Sequence, residues 1–193
     1  MVLSGVYKTF MKCWENFQTA WIISDLHFNE MDLKRAFPNR PSDDELVRRI
    51  NAKVGRKDIL FVLGDCGDLE YVKKLRGYKV LIMGNHDTGA TKYEEVFDEV
   101  YEGALIIGEK IIFSHEPVQI PWAFNFHGHN HAQKKNAPNH MNVCADVIGY
   151  EPAHLNSLLN GGIASKVYTI HRETIDNATD RKRKRGGKKI GEK

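Results

Sequence analysis

The chain has 193 residues, 41% of them hydrophobic and 27% charged, which is the composition of an ordinary soluble globular protein. This length is enough for one domain with a sizeable core, and no apolar run approaches the roughly 20 residues that span a bilayer. The first twenty residues contain no continuous apolar segment, so we expect no signal peptide, no membrane partner and a cytoplasmic location. Three cysteines without a Cys-x-x-Cys pair argue against a disulfide framework and against a structural zinc site.

The net charge of +3 hides an asymmetry along the chain. Residues 181–193 hold eight Lys or Arg and one Glu, which leaves the rest with 20 basic and 24 acidic residues. We expect residues 1–20 to be an arm or edge strand, 21–172 to fold as one domain, and 173–193 to be a disordered basic tail. Such a tail either binds nucleic-acid phosphates or only aids solubility, and both interpretations stay open.

The first predicted strand, Trp21–Ser24, ends in two residues with metal-ligand chemistry. Asp25 and His27 stand two positions apart, so their side chains can point the same way. A proline-interrupted segment, residues 29–41, follows and excludes a long helix.

Two arginines in that segment are candidates for substrate binding. A guanidinium suits bidentate binding of an anion, so Arg35 or Arg40 would hold a substrate phosphate if the segment lies near the metal ligands. A solvated loop arginine is the alternative for either residue.

A capping box, Ser42-Asp43-Asp44-Glu45, predicts a helix that runs to Val54 and is closed by Gly55. The next predicted strand, 58–63, turns out through Gly64 into Asp65. Asp68 is expected to cap a helix over residues 69–75.

The strand predicted over Lys79–Met83 leads directly into Gly84-Asn85-His86-Asp87. Asparagine offers a neutral carbonyl ligand, histidine can carry a proton near neutral pH, and the following aspartate can fix the orientation of that imidazole. A short helix is expected over residues 91–97.

In the second half of the chain, short apolar segments follow one another closely. Residues 105–107 and 111–113 predict an antiparallel hairpin that ends at His115. A strand over 123–126 runs into the densest histidine segment, His127 to His131. We further predict a strand over 142–147, a helix over 152–160 and a last strand over 166–170.

Seven candidate metal ligands follow apolar segments or lie in tight turns. Imidazole together with carboxylate suits Mn, Fe, Zn or Ni, and seven ligands are too many for one tetrahedral site. Two metal ions that share a ligand fit better. The seven residues are Asp25, His27, Asp65, Asn85, His115, His129 and His131.

The order D-x-H, G-D, G-N-H-D, H and G-H-x-H resembles the calcineurin-like metallophosphoesterase superfamily. The match runs from Asp25 to His131, and residues 142–150 also resemble small bacterial and phage members. The resemblance implies an α/β (α+β) fold, a four-layer αββα sandwich of two mixed β-sheets flanked by helices, with a dinuclear centre. Mn is the favoured ion, with Fe, Zn, Ni and Mg as alternatives.

The resemblance also implies roles for single residues. Asp25, His27 and His131 would bind one metal ion, Asn85, His115 and His129 the other, and Asp65 both. His86 would be the acid near the leaving oxygen, with Asp87 orienting it.

These roles imply a phosphohydrolase in which a metal-bridging hydroxide attacks phosphorus, most simply a phosphodiesterase acting on a small phosphodiester or nucleotide. The protein serine/threonine phosphatase branch has the pattern G-D-x-x-D-R-G. The segment Gly64 to Glu70 departs from this pattern, so a protein phosphatase is disfavoured. A nuclease or nucleic-acid phosphatase using the basic tail is one alternative, and a non-catalytic scaffold with the same fold is another.

Overall fold

The computed structural model describes residues 17–107, 110–132 and 138–166. Residues 1–16 of the predicted N-terminal arm, nearly all of the last predicted strand and the basic tail lie outside these ranges. No helix in the described part of the chain is long and apolar enough to cross a membrane.

The chain builds two sheets from nine strands within the described residues. They are β1 Ala20–Ile23, β2 Ile59–Val62, β3 Tyr78–Ile82, β4 Glu99–Tyr101, β5 Leu105–Ile107, β6 Ile111–Phe113, β7 Phe124–His127, β8 His140–Asn142 and β9 Ala153–His154. The first sheet has the order β4-β3-β2-β1-β9 and the second the order β5-β6-β7-β8.

Both sheets are mixed. Strands β1 to β4 are parallel, with Trp21 opposite Leu60, while β9 pairs antiparallel with β1. In the second sheet β5 and β6 form the predicted hairpin, and β6, β7 and β8 are parallel. The predicted α/β class with two mixed sheets and helices is therefore confirmed.

The helices are short apart from one. They are α1 Met31–Ala36, α2 Asp43–Lys53, α3 Leu69–Val72, α4 Ala90–Tyr93, α5 Ala145–Ile148 and α6 Leu155–Asn160, followed by a 3-10 turn over Ile163–Lys166. Ser42 accepts a hydrogen bond from the backbone of Glu45, and Asp68 accepts one from Glu70, so both predicted N-caps form. Helix α2 ends at Lys53, with extended backbone at Val54, directly before the Gly55 that was predicted to close it.

The core is divided by the first sheet, because successive residues of a strand face opposite sides. On one side Ile23 and Leu60 pack with Leu46 and Ile50 of α2. On the other side Ile22, Phe61 and Val80 pack with aromatic residues of the second sheet, including Phe113 and Phe126. The strand backbones between these layers are buried, so the loops at their carboxyl ends are held in fixed positions.

Two predicted elements differ from the structure near the end of the described chain. The strand expected over 142–147 lies earlier, at β8, and α5 takes its place because Gly149 adopts a left-handed conformation that closes a single helical turn. The helix expected over 152–160 begins only at Leu155, since Ala153 and His154 first pair with β1.

Candidate metal centre

The predicted ligands lie at one edge of the molecule, where five strands end. Backbone hydrogen bonds join their loops: Asp25 N–H donates to Gly64 O over 3.0 Å, and His27 N–H donates to Asp65 O over 2.9 Å. The loops of the second sheet are joined in the same way, since Gly128 N–H donates to His115 O over 2.9 Å. The ligand loops therefore form one connected unit.

Four of the seven predicted ligands adopt left-handed backbone conformations. The φ angles are 58° at Asp25, 41° at His27, 52° at Asp65 and 68° at His129. A side chain in this region costs on the order of 1–3 kcal/mol, and such strain persists where the surrounding structure holds it in place. Strained backbone is thus concentrated on the residues with ligand chemistry.

One group of four ligands converges tightly. Nε2 of His115 lies 2.9 Å from Oδ1 of Asn85, 3.1 Å from Nδ1 of His129 and 3.2 Å from Oδ2 of Asp65. Nδ1 of His129 is also 3.0 Å from Oδ1 of Asn85. These are the atoms that would face a common ion.

A second group is wider. Oδ1 of Asp25 lies 3.9 Å from Nε2 of His27 and 3.6 Å from Nε2 of His131. Nε2 of His27 is 3.6 Å from Oδ2 of Asp65, the same oxygen that faces His115. Oδ2 of Asp65 therefore lies between the two groups.

The residues fit divalent ions by their chemistry and their spacing. Nε2 of His27 is buried and has no hydrogen-bond partner among the described residues, which is costly without a ligand. Ligands about 2.0–2.2 Å from a shared ion lie about 3.0–3.6 Å from one another, depending on its coordination geometry. Most of the distances in both groups match this spacing.

Two motif glycines leave room for the carboxylates. A Cβ atom on Gly84 would overlap Oδ1 of Asp65, and one on Gly128 would overlap Oδ2 of Asp25. The glycines of G-N-H-D and G-H-x-H are therefore required by close approach to the ligands, even though neither has a positive φ.

His131 has an outer partner that sequence reasoning missed. Its Nδ1 atom lies 2.6 Å from Oδ2 of Asp146, whose side chain is 1% exposed. A carboxylate on one ring nitrogen fixes the tautomer and leaves the other nitrogen free to bind metal. No local motif marks Asp146, since it follows His131 by fifteen residues and lies on α5.

Arg40 forms an ion pair with Asp146 and does not face a substrate site. Its Nη1 donates to Oδ2 of Asp146 over 2.6 Å, and its Nη2 donates to the carbonyl oxygens of Asp25, over 3.0 Å, and of Leu26. The side chain is 1% exposed. The prediction that Arg40 would hold a substrate phosphate is wrong, because its guanidinium is buried and engaged.

Arg35 gives no support to its predicted role either. Its side chain is 76% exposed and pairs with Asp32 one turn earlier on α1. No described contact joins it to the ligand groups, so substrate binding by Arg35 stays a prediction.

The expected contact between Asp87 and His86 is replaced by another. The Asp87 carboxylate is buried and accepts hydrogen bonds from the backbone N–H groups of Asp65, Cys66 and Gly84 over 2.8, 3.3 and 2.9 Å. Asp87 thus orients the Asp65 loop, which corrects its prediction as the group that orients the His86 imidazole.

His86 lies beside the site with an exposed side chain. Its ring centroid is 5.3 Å from that of His27, and its backbone N–H donates to Oδ1 of Asp65 over 2.9 Å. This hydrogen bond holds one oxygen of Asp65 and leaves Oδ2 to the ligand groups.

The charges of the two groups are coupled. Burial favours neutral forms, but His115 and the His86 amide outweigh it and hold the pKa of Asp65 below its usual range. Burial also opposes charge on His115, yet Asp65 and Asp25 raise its pKa to about 9. Without metal, His115 is therefore a cation at neutral pH.

The remaining described histidines and cysteines lie outside the seven predicted ligands. Burial lowers the pKa of His127 and of His140, whose rings pack against each other, and His154 caps α6. Cys66 is buried, as expected. Cys144 is also buried, with its Sγ 3.5 Å from Nδ1 of His131.

Comparison with known proteins finds a matching family model and a solved structure with a similar fold. The family model for the calcineurin-like phosphoesterase matches residues 19–187. The chain is similar in fold to the crystal structure of a protein of unknown function, AQ665, from Aquifex aeolicus, with 24% identity, a TM-score of 0.64, and coverage of 74% of this chain and 98% of that one. No curated protein matches the sequence.

Proposed function

The chain belongs to the calcineurin-like phosphoesterase family, and on that premise we propose that it is a phosphodiesterase with two divalent metal ions. Its substrate would be a small phosphodiester or a nucleotide. Manganese is the ion we favour among those that suit a donor set of imidazole, carboxylate and amide oxygen.

One observation carries this proposal: Oδ2 of Asp65 lies between two groups of ligands. It is 3.2 Å from Nε2 of His115 and 3.6 Å from Nε2 of His27. A carboxylate in this place would serve two ions at once. In such centres, paired ions neutralise phosphoryl oxygens and make a water molecule acidic enough to attack at neutral pH.

The residues around the ligands would prepare the site for in-line displacement. Asp87 fixes the backbone of the Asp65 loop, and the His86 amide holds the other oxygen of Asp65. These contacts position the shared carboxylate before a substrate arrives, which reduces reorganisation during the reaction.

His86 is the residue we assign to the leaving group. Its ring is exposed beside His27 of the wider ligand group and is free of the hydrogen bond expected from Asp87. A protonated imidazole in this place can give its proton to the departing alkoxide. No serine or cysteine nucleophile is required by this route.

The test is metal content measured together with hydrolysis of bis-p-nitrophenyl phosphate and p-nitrophenyl phosphate, with Mn²⁺ added. We expect close to two ions per chain and faster diester than monoester turnover. Asp65→Asn should lose both bound ions and diester turnover. Asp32→Asn is the matched control, because that aspartate is 98% exposed on α1.

The outcomes separate the alternatives. Two bound ions without turnover of either compound would favour the non-catalytic scaffold. Monoester turnover alone would keep the phosphohydrolase and reject the phosphodiesterase. A wild-type protein that binds no metal, together with an Asp65→Asn variant that behaves like the wild type, would reject the site itself.

A further inference from the structure

A cleft of about 290 Å³ opens beside the tight ligand group, the one that contains Asn85 and His115. Its walls come from the end of β3 at residues 82–85, from the loop between β4 and β5 at residues 102–104, and from the segment after β6 at residues 114–118. Asn85 and His115 form part of the wall, so the cleft shares a boundary with the proposed metal centre.

The charge of the cleft is one-sided. Glu102 and Glu116 line it, and no lysine or arginine is among the described residues that do. Much of the remaining wall is apolar, from Ile82, Met83 and Val118. The cleft therefore offers carboxylates and apolar surface to whatever enters it.

We propose that this cleft receives the alcohol part of the substrate and selects a small, positively charged alcohol, such as an amino alcohol. This inference rests on the phosphodiesterase function proposed above. A phosphoryl group held at the metal centre would direct one of its substituents past Asn85 and His115 into the cleft. The volume lies at the lower end of ligand pockets, roughly 300–1,000 Å³, and suits a small group.

The charge of the lining determines whether the cleft favours cationic or anionic substituents. Proteins hold additional phosphates with arginine or lysine, and the lining has neither. Two carboxylates attract a nearby ammonium group and repel a carboxylate or a second phosphate. Nucleoside polyphosphates and nucleic-acid strands are therefore poor occupants of this cleft.

The test compares two p-nitrophenyl phosphodiesters of equal size, whose second alcohol carries either a trimethylammonium group or a carboxylate. We expect the cationic ester to have a kcat/KM about 10-fold or more above that of the anionic one at low salt, with a smaller ratio at high salt. In the double variant Glu102→Gln/Glu116→Gln the ratio should fall to about 2. The control Glu94→Gln/Glu95→Gln removes the same charge from exposed residues outside the cleft and should keep the ratio.

Binding gives a readout that needs no turnover. Calorimetry on the Mn²⁺-loaded protein should show tighter binding of phosphorylcholine than of phosphoglycolate, and the double variant should reduce the difference. Equal affinities in the wild type, or a ratio that survives Glu102→Gln/Glu116→Gln, would overturn the inference. Failure of the proposed function looks different: bis-p-nitrophenyl phosphate would then not be hydrolysed at all.

Discussion

The carboxylate of Asp87 holds the backbone of Asp65: its Oδ2 accepts the Asp65 N–H over 2.8 Å, across the loops that follow β3 and β2. The last residue of G-N-H-D therefore acts on the G-D motif and leaves its neighbour His86 unconstrained by that carboxylate. The two residues should have separable effects, Asp87 on metal binding and His86 on turnover.

Replacing Asp87 by Ala should weaken metal binding and lower activity together. Loss of the carboxylate leaves the backbone N–H groups of Asp65, Cys66 and Gly84 without their acceptor, and buried donors without partners cost about 1–3 kcal/mol each. We expect a lower melting temperature and a metal dissociation constant raised about 10-fold or more. Titration of the metal-free variant with Mn²⁺ measures this change, and unaltered metal affinity would contradict it.

Replacing His86 by Asn should lower turnover much more than metal content. The side chain is exposed, and the backbone N–H that holds Asp65 remains in the variant. General acid catalysis is worth about 10²–10⁴-fold, so kcat on a diester should fall within that range. A leaving group that needs no proton should lose less, so p-nitrophenyl esters serve as the internal control. Equal loss of metal and turnover would count against this role.

Strand patterns and motif order were sufficient to predict where the ligands lie, because apolar runs such as Ile59–Leu63 end at the same edge of a parallel sheet. They were not sufficient for side-chain direction. Asp87 could face His86 or the Asp65 backbone, and Arg40 could face solvent or the interior, with the same sequence. Asp146 was missed because only tertiary packing brings α5 against His131.

Removing Asp146 tests the outer partner of His131. Asp146→Ala frees Nδ1 of His131 and leaves the buried guanidinium of Arg40 without its carboxylate. Loss of one partner of a buried ion pair costs about 3–5 kcal/mol, and loss of an outer carboxylate weakens metal binding about 10–100-fold. Chemical denaturation and Mn²⁺ titration measure the two effects.

Arg35→Ala on α1 is the matched control for the buried pair of Arg40 with Asp146. The exposed ion pair of Arg35 with Asp32 should contribute at most about 1 kcal/mol to the free energy of unfolding. Arg40→Ala should be as destabilising as Asp146→Ala, and the double variant should cost less than the sum, since both changes remove the same pair. Additive effects would show that the two side chains act independently.

Metal binding should release a proton from His115 at neutral pH. Its pKa is raised to about 9 in the metal-free protein, chiefly by Asp65 and Asp25 against the effect of burial, whereas a ligand imidazole must be neutral. Calorimetric titration in buffers of different ionisation enthalpy counts the protons released. His115→Gln should release fewer protons on binding any remaining metal.

The raised pKa of His115 also determines how the stability of the metal-free protein changes with pH. Because the folded pKa of His115 lies above its ordinary value of 6.5, its contribution is fully present below that value and is lost as pH rises through about 9. The melting temperature of the chelated wild type should therefore fall between pH 7 and pH 10, with a smaller fall in His115→Gln. A chelated wild type whose stability is constant over this interval would contradict the assignment.

Replacing Gly128 by Ala should disrupt the wider ligand group, which contains Asp25, through sterics alone. A Cβ atom at this position would overlap Oγ of Ser24 and Oδ2 of Asp25, and both side chains are buried. Asp25 would have to move, although it also accepts hydrogen bonds from the backbone N–H of His129 over 3.0 and 3.1 Å. We expect bound metal to fall and the melting temperature to drop by several degrees, as for an overpacked core site costing about 1–3 kcal/mol. Gly103→Ala is the matched control, since a Cβ there meets no atom within 4 Å, and it should keep both metal content and melting temperature. If Gly128→Ala retained its full metal content, the close approach of the G-H-x-H loop to Asp25 could not be a requirement of the site.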